Sequence, residues 1–246
     1  MSAAWRPERA MVLAAGRGER MRPLTETTPK PLIALRGRAM IDTILDRVAA
    51  AGVNDAVVNL HHLGHKLEEH LKTRKSPRVR FSLETTLLET GGGVKLALPL
   101  LGSEPFYAIN GDIFWLDGAL PALERLAAAW DGEKMDSLLL LQSTVTAFNY
   151  DGSGDFQLAP DGKLRRRRER EIAPFVFAGV QILDPSLFAD APSGPFSLNR
   201  LYDRAAESGR LYGLRHDGEW FHIGTPQSLA ETERELGFLL PGAAAS

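Results

Sequence analysis

The order of apolar segments predicts an α/β fold built on a mostly parallel sheet with helices on both of its faces. Between residues 11 and 142, apolar runs of strand length alternate with stretches of helical periodicity, which is the order that βαβ units produce. Glycine-containing polar segments follow directly after two of the predicted strands. Because open α/β sheets bind ligands at the carboxyl ends of their strands, these segments predict a ligand site along one edge of the sheet.

The composition excludes several classes of protein. A chain of 246 residues with 44% hydrophobic and 24% charged residues is typical of one large globular α/β domain. The formal net charge of −2 gives no basic field for nucleic acid. The absence of cysteine excludes disulfides, thiolate catalysis and cysteine-ligated metal centres. With no apolar leader-like stretch near residue 1 and no run approaching the ~18 residues of a membrane span, we expect a cytoplasmic protein without membrane or nucleic-acid partners.

The first predicted strand, residues 11–15, leads into a loop that is rich in glycine and arginine. Gly16 and Gly18 lack a Cβ, so backbone amides here can approach a phosphate closely. Three arginines at positions 17, 20 and 22 supply forked donors that match phosphate oxygens. Lys30 adds a further cation between two prolines that restrict its backbone. Residues 11–31 therefore predict a triphosphate site.

Two common nucleotide-binding motifs do not fit this loop. The dinucleotide fingerprint G-x-G-x-x-G requires a third glycine where this chain has Met21. The Walker A pattern G-x-x-x-x-G-K-[ST] occurs nowhere in the sequence. The loop is thus a phosphate-binding candidate of another class.

Periodicity and turn residues predict the remaining elements. Helices are expected over residues 40–51, 63–72, 94–101, 120–130, 196–208 and 228–237. Strands are expected over residues 56–60, 79–83, 106–109, 137–142, 175–183, 210–215 and 219–226, with a hairpin around residues 156–158. The final segment PGAAAS is expected to be frayed.

Two further segments follow predicted strands and carry candidate ligand-binding groups. Thr90, Gly91 and Gly92 precede the predicted helix over 94–101, where backbone amides can meet a ligand, although glycine runs also form flexible turns. Asp112 comes directly after the strand over 106–109 and offers the oxygen ligands that Mg²⁺ prefers. The alternative is an aspartate that only shapes a turn with its glycine neighbour.

Residues 163–170, KLRRRRER, form a local run of basic charge. Most such runs are solvated surface, and we interpret this one in the same way. Attraction of a substrate anion is the alternative.

Several motifs together resemble sugar-1-phosphate nucleotidyltransferases. Residues 13–25, LAAGRGERMRPLT, followed by Pro29-Lys30-Pro31, resemble the signature of that family. Asn110-Gly111-Asp112 resembles its metal-binding motif, residues 177–180 its sugar-pocket strand, and residues 220–226 its second metal motif. The resemblance implies a Rossmann-like, mostly parallel mixed sheet in the three-layer α/β/α nucleotide-diphospho-sugar transferase fold. It also implies a single domain over residues 1–246, with a nucleotide-binding half over about 10–148 and a sugar-binding half over about 149–240.

The resemblance implies an enzyme that transfers a nucleotidyl group from a nucleoside triphosphate to a sugar 1-phosphate and releases pyrophosphate. The short length and the segment Glu89-Thr90-Gly91-Gly92-Gly93 are most similar to the branch that makes UDP-N-acetylmuramate from UTP and N-acetylmuramate 1-phosphate in peptidoglycan recycling. Mannose- or heptose-1-phosphate guanylyltransferases are the alternative. The oligomeric state is left open between monomer and homodimer.

The family's functional residues carry over onto matching positions of this sequence. Arg20, Lys30 and Asp112 would be catalytic, with Asp112 as a ligand of Mg²⁺. The nucleotide would contact Ala14, Ala15, Gly16, Gly18, Thr90, Gly91 and Gly92. The sugar would contact Asn110, Glu171 and Gly179.

His222 departs from the family pattern, which places an aspartate at this position. Imidazole is a poor ligand for Mg²⁺ and a better one for transition metals, so Mn²⁺ or Co²⁺ are alternative cofactors. His222 could instead hold a metal-bound water or not touch the metal at all. This departure is also the one feature that favours a catalytically silent nucleotide-sugar sensor.

Overall fold

The structure is a computed structural model that describes residues 5–240. The predicted fraying of residues 241–246 lies outside these residues. The strands are β1 Arg9–Leu13, β2 Ala34–Leu35, β3 Arg38–Ala39, β4 Asp55–Leu60, β5 Arg78–Leu83, β6 Phe106–Asn110, β7 Phe114–Leu116, β8 Ser137–Ser143, β9 Ala147–Phe148, β10 Phe156–Leu158, β11 Leu164–Arg166, β12 Phe175–Leu183, β13 Leu211–Arg215 and β14 Glu219–Phe221. The helices are α1 Leu24–Thr27, α2 Met40–Ala50, α3 Gly64–Leu71, α4 Glu89–Leu101, α5 Ala122–Ala129, α6 Asn199–Glu207 and α7 Pro226–Leu239.

The main sheet is mixed but mostly parallel, as the sequence predicts. Its strands follow the order β5-β4-β1-β6-β12-β8-β13. Pairing is parallel throughout except at β12, which runs antiparallel to both β6 and β8. The hairpin of β10 and β11 extends this sheet from the beginning of β12.

Helices cover both faces of the sheet and form three layers. Alternate residues of β1 point to opposite faces, because side chains in a strand alternate with a period of two. Ala10 and Val12 belong to the apolar cluster that includes α2, α3 and α5. Met11 belongs to the cluster on the other face, which includes α4 and α6. The apolar runs predicted as buried strands are thus packed on both sides.

A crevice opens where β1 ends, because the chain builds the sheet outwards from β1 in both directions. After β1 it forms β4 and β5 on one side, and then it returns to form β6 on the other. Such a topological switch point is where open α/β sheets bind ligands, since the flanking connections diverge there. The fold therefore positions the loop after β1 at a preformed crevice.

A third apolar cluster attaches the C-terminal helix to the beginning of the chain. Met21 and Met40 pack with Phe221, Ile223 and Leu236, all of which are at most 2% exposed. Helix α7 begins at a capping box in which the Thr225 and Ser228 side chains each accept from the other residue's backbone N–H. Through Met21, this cluster connects the loop after β1 to α7.

Several element boundaries differ from the predictions. The first strand ends at Leu13 rather than at 15, since the N–H of Ala14 donates to the Asn59 side chain instead of continuing the ladder. Helix α4 begins at Glu89, five residues before the prediction, because contacts with distant residues outweigh the low helix propensity of three glycines. The last strand stops at Phe221 rather than at 226. No helix within residues 5–240 is both long and apolar enough to cross a membrane.

We predict that Leu236→Ala lowers the free energy of unfolding by about 2–5 kcal/mol, because it leaves a cavity in the third apolar cluster. Leu236 is fully buried on α7. Phe238 lies on the same helix and is 74% exposed, so Phe238→Ala is the matched control and should change stability by less than about 0.5 kcal/mol. Urea unfolding followed by circular dichroism measures both. Equal losses for the two variants would contradict the packing described above.

Candidate active site

A cleft of about 630 Å³ lies in the crevice at the end of β1. It is lined by the loop after β1, the ends of β4 and β6, and the beginning of α4. Nine of the residues predicted from the sequence line it together, namely Ala14, Ala15, Gly16, Gly18, Arg20, Lys30, Thr90, Asn110 and Asp112. The carboxyl ends of β1 and β6 bring these segments to one place.

The two glycines of the first loop are required for different reasons. Gly18 has a φ of +63°, and a Cβ at this position would lie 2.9 Å from Thr25 Cγ2. Thr25 holds this turn through a hydrogen bond of 2.9 Å from its hydroxyl to the carbonyl of Gly18. At Gly16, by contrast, a Cβ would meet no atom within 4 Å. Only Gly18 is dictated by the fold, and Gly16 leaves open space on the cleft side where a ligand can approach the backbone.

A buried cation and a carboxylate meet in the cleft. The Nζ of Lys30 lies 2.7 Å from Oδ2 of Asp112, with exposed side-chain fractions of 10% and 42% respectively. Gly111 brings Asp112 close to the first loop, because its N–H donates to the Leu13 carbonyl over 2.8 Å and a Cβ there would clash with that oxygen. An ammonium beside a half-exposed carboxylate provides charges of both signs at one point of the cleft. Such a point can bind phosphate oxygens and a cation together.

Asn59 and Glu84, which the sequence analysis missed, form a buried hydrogen-bonded pair beside the first loop. Asn59 Oδ1 accepts from the N–H of Ala14 over 2.6 Å, and its Nδ2 donates to Glu84 Oε1 over 2.6 Å. Both residues line the cleft and both are 2% exposed. The signal in the sequence was an asparagine within the apolar strand AVVNL, since a buried polar side chain requires a partner.

His222 lies beside the cleft and shares a neighbour with Arg20. A Cβ at the cleft-lining residue Gly224 would lie 2.8 Å from His222 Nε2 and 3.3 Å from Arg20 Cζ. Burial, helped by Arg20 and Lys30 and opposed by nearby aspartates including Asp112, lowers the pKa of His222 below its usual value. Its ring contacts aromatic rings and makes no hydrogen bond to any residue the structure describes. Since burial favours the neutral form, the imidazole keeps a free lone pair.

No group of three or more histidine, aspartate or glutamate side chains within residues 5–240 could hold a metal ion. The oxygen chemistry of the cleft nevertheless fits a hard cation. Asp112 supplies one accessible carboxylate, and Mg²⁺ commonly binds one or two carboxylates while phosphates and waters complete its shell. Metal binding by Asp112 and His222 stays a prediction.

The predicted sugar-binding residues occupy different environments. Gly179 has a φ of +80° at an irregularity in β12, and a Cβ there would lie 3.1 Å from Asn110 Nδ2. These two residues are therefore neighbours, as a shared sugar subsite requires. Glu171 lies outside the cleft lining. Its carboxylate is held by Arg165 and by the N–H of Arg168, which together lower its pKa to about 2.

Gly91 and Gly92 lie in the first turn of α4 and do not line the cleft. Their N–H groups donate to the carbonyl of Phe196 over 2.8 and 3.1 Å. The Thr90 hydroxyl, which does line the cleft, accepts from the N–H of Leu198 over 3.0 Å. Glycine at position 91 is needed because a Cβ there would overlap the Phe196 ring. A nucleotide-binding role for these glycines stays a prediction.

Comparison with known proteins identifies the family. The model of the nucleotidyl transferase family matches residues 9–146, which is more than half of the chain. The chain is 46% identical over 235 residues to N-acetylmuramate alpha-1-phosphate uridylyltransferase of Caulobacter vibrioides, covering 94% of this chain and 97% of the relative. It is 34% identical to the enzyme of that name from Neisseria meningitidis serogroup B, covering 93% and 98%.

A more distant relative and a solved structure also match this chain. A mannose-1-phosphate guanyltransferase of Aspergillus fumigatus is 28% identical over 89% of this chain and 61% of its own length. A solved UDP-glucose pyrophosphorylase complexed with UDP-glucose superposes with a TM-score of 0.77 at 16% identity, covering 94% of this chain and 99% of that chain. This likeness confirms the predicted fold. From the family model and from the identity to relatives over nearly its whole length, the chain belongs to the nucleotidyl transferase family.

Proposed function

We propose that this protein transfers a uridylyl group from UTP to N-acetylmuramate 1-phosphate, which yields UDP-N-acetylmuramate and pyrophosphate. The observation that carries the proposal is the 46% identity, over nearly the full length of both chains, to a uridylyltransferase of that specificity. The cleft supports it, because a phosphate-binding loop, Lys30 and Asp112 converge there.

The chemistry requires positioning and charge neutralisation rather than a general base. An oxygen of the sugar phosphate attacks the α-phosphorus of the triphosphate, and the bond from that phosphorus to the bridging oxygen of the β-phosphate breaks. The nucleophile needs no activation, since a phosphate monoester with a second pKa of about 6 is largely a dianion near neutral pH. All reacting groups are anionic, so the protein must supply cations and fixed amide dipoles.

The residues around the first loop meet this requirement. The backbone amides of Gly16 and Gly18 and the guanidinium of Arg20 bind the β- and γ-phosphates, where the leaving pyrophosphate develops its charge. Ala14 and Ala15 border another part of the nucleotide. Lys30 neutralises the α-phosphate and the incoming phosphate from its buried position. Thr90, Gly91 and Gly92 border the nucleobase.

A divalent cation belongs to this proposal, with Asp112 as its protein ligand. When bound at Asp112, such an ion would neutralise phosphate charge and would help to align the two substrates. Mg²⁺ suits the carboxylate of Asp112, whereas Mn²⁺ or Co²⁺ would also accept the neutral imidazole of His222.

In this proposal, the sugar-binding half of the chain spans about residues 149–240. The nucleotide-binding half spans about residues 10–148. Asn110 and Gly179 border the sugar, since they adjoin each other where β6 ends beside the middle of β12. For Glu171 to reach the sugar, its ion pair with Arg165 must rearrange. The protein acts as a monomer or homodimer on small-molecule substrates, without membrane or nucleic-acid partners.

Guanylyl transfer to mannose or heptose 1-phosphate is less supported, because the mannose-specific relative is only 28% identical. A silent sensor is the alternative outside enzyme classes and rests on His222 alone. A panel of UTP, GTP, CTP and dTTP against N-acetylmuramate, mannose, heptose and glucose 1-phosphates, with pyrophosphate release as the signal, separates these functions. The proposal requires the highest kcat/KM with UTP and N-acetylmuramate 1-phosphate. Release with no pair would support the sensor.

We predict that Lys30→Ala lowers kcat by at least ~10²-fold, because it removes a preorganised charge from the reacting phosphates. Lys134→Ala is the matched control, since Lys134 forms a similar ion pair of 2.6 Å with Asp131 but is 67% exposed at the surface. The control should leave kcat unchanged. Steady-state pyrophosphate assays and thermal melts of both variants make the comparison. A near-normal kcat in a folded Lys30→Ala enzyme would show that the reaction does not require Lys30.

We also predict that His222→Asp retains activity and shifts metal preference from Mn²⁺ or Co²⁺ towards Mg²⁺, because a carboxylate is the harder ligand. Rates with each metal, together with Mn²⁺ affinity from electron paramagnetic resonance, test this directly. A preference and an affinity equal to those of the unaltered protein would show that His222 does not ligate the ion.

A further inference from the structure

Two buried side chains that take no part in the chemistry above connect the phosphate loop to the beginning of α4. Asn59, in β4, links Ala14 to Glu84 through two hydrogen bonds of 2.6 Å. Glu84, directly after β5, accepts from the N–H of Leu88 with its second oxygen over 2.9 Å. This relay of Ala14, Asn59, Glu84 and Leu88 joins segments that are far apart in the sequence.

The orientation of the Asn59 amide is determined by its neighbours. The N–H of Ala14 can only donate, so the asparagine oxygen must face it. The asparagine NH₂ group then faces Glu84, whose second oxygen meets another donor, the N–H of Leu88. Every donor of the relay thus meets an acceptor: the N–H of Ala14 meets the oxygen of Asn59, and the two oxygens of Glu84 accept from Asn59 and Leu88.

The relay is also closely packed against α4. A Cβ at Gly93 would lie 2.6 Å from Glu84 Oε1 and 2.9 Å from Asn59 Nδ2. Close packing of α4 against the pair thus explains one glycine of the triple-glycine segment. It also places Asn59 and Glu84 directly against the N-terminal part of α4.

We propose that Asn59 is a positioning residue for the nucleotide: through Ala14 and Glu84 it sets the separation between the phosphate loop and the first turn of α4. This inference rests on the proposed function, which places the nucleotide between those two segments. Within the described residues, the hydrogen bonds of the relay include neither Lys30, Asp112 nor Asn110, and Lys30 and Asp112 are held by their own ion pair. Disturbing it should therefore impair nucleotide binding and leave the sugar phosphate site nearly intact.

Asn59→Asp tests the relay, because it keeps the acceptor for Ala14 but sets one carboxylate against another at Glu84. We expect KM for the nucleotide to rise by at least ~10-fold, with KM for the sugar phosphate within about twofold, as for residues that orient groups in direct contact with a ligand. Glu84→Gln should be similarly impaired, because its NH₂ group would face either the N–H of Leu88 or the NH₂ group of Asn59, and both of these are donors.

The double variant Asn59→Asp/Glu84→Gln exchanges acid and amide and restores every hydrogen bond. The aspartate accepts from Ala14 and from the glutamine NH₂ group, while the glutamine oxygen accepts from Leu88. Recovery of the nucleotide KM to within about threefold of the original enzyme would support positioning. A folded double variant that stays as impaired as Asn59→Asp would overturn it and assign a direct contact with the nucleotide to the Glu84 carboxylate.

Tyr202→Phe controls for the general loss of a buried hydrogen bond. The Tyr202 hydroxyl donates to the buried Gln181 over 2.7 Å between α6 and β12, away from the cleft. This variant should lose thermal stability while both KM values stay constant. Calorimetric binding of UTP to each variant makes the test independent of turnover, so it can fail separately from the proposed reaction. Equal effects of Tyr202→Phe and Asn59→Asp on nucleotide affinity would show that the relay contributes to stability and does not position the nucleotide.

Discussion

Parallel pairing of β1 with β4 on one side and β6 on the other is the constraint on which the site depends. The strand is buried on both faces, and its ladder to β6 continues past the strand end through the hydrogen bond from Gly111 to Leu13. The loop after β1 therefore cannot shift without breaking contacts in both directions. This rigid support suits a loop that must hold charged groups at fixed positions, because electrostatic stabilisation acts through preorganised groups.

The cleft is lined by charged side chains of both signs. Lys30 is 8% exposed, and its burial is tolerated because Asp112 lies 2.7 Å away. Arg20 stands near the same place and has no carboxylate partner within the part of the chain that the structure describes. A guanidinium without a carboxylate partner, beside the ion pair of Lys30 and the half-exposed Asp112, suits phosphates accompanied by a metal ion. The electrostatics thus agree with the family that the comparisons identify.

Much of the fold was predictable because it depends on local periodicity and on strand ends. The residues of the first loop and Asp112 could be grouped from sequence, since each follows a strand whose carboxyl end had to meet the same edge. The beginning of α4 was not predictable from propensity, because contacts of Gly91 and Gly92 with Phe196 create it. The Asn59–Glu84 pair depends on the distance between separate strands, which no local pattern records.

The neutral ring of His222 changes the charge balance where the family pattern places a carboxylate. Burial and two nearby cations lower its pKa, so a histidine in place of an aspartate means one negative charge fewer beside the cleft near neutral pH. N-acetylmuramate 1-phosphate carries a lactyl carboxylate that mannose and glucose 1-phosphates lack. A cleft with one fewer carboxylate repels such a substrate less, because desolvated like charges interact strongly over short distances. Under the proposed function, the departure that first suggested a silent protein is therefore consistent with a more acidic substrate.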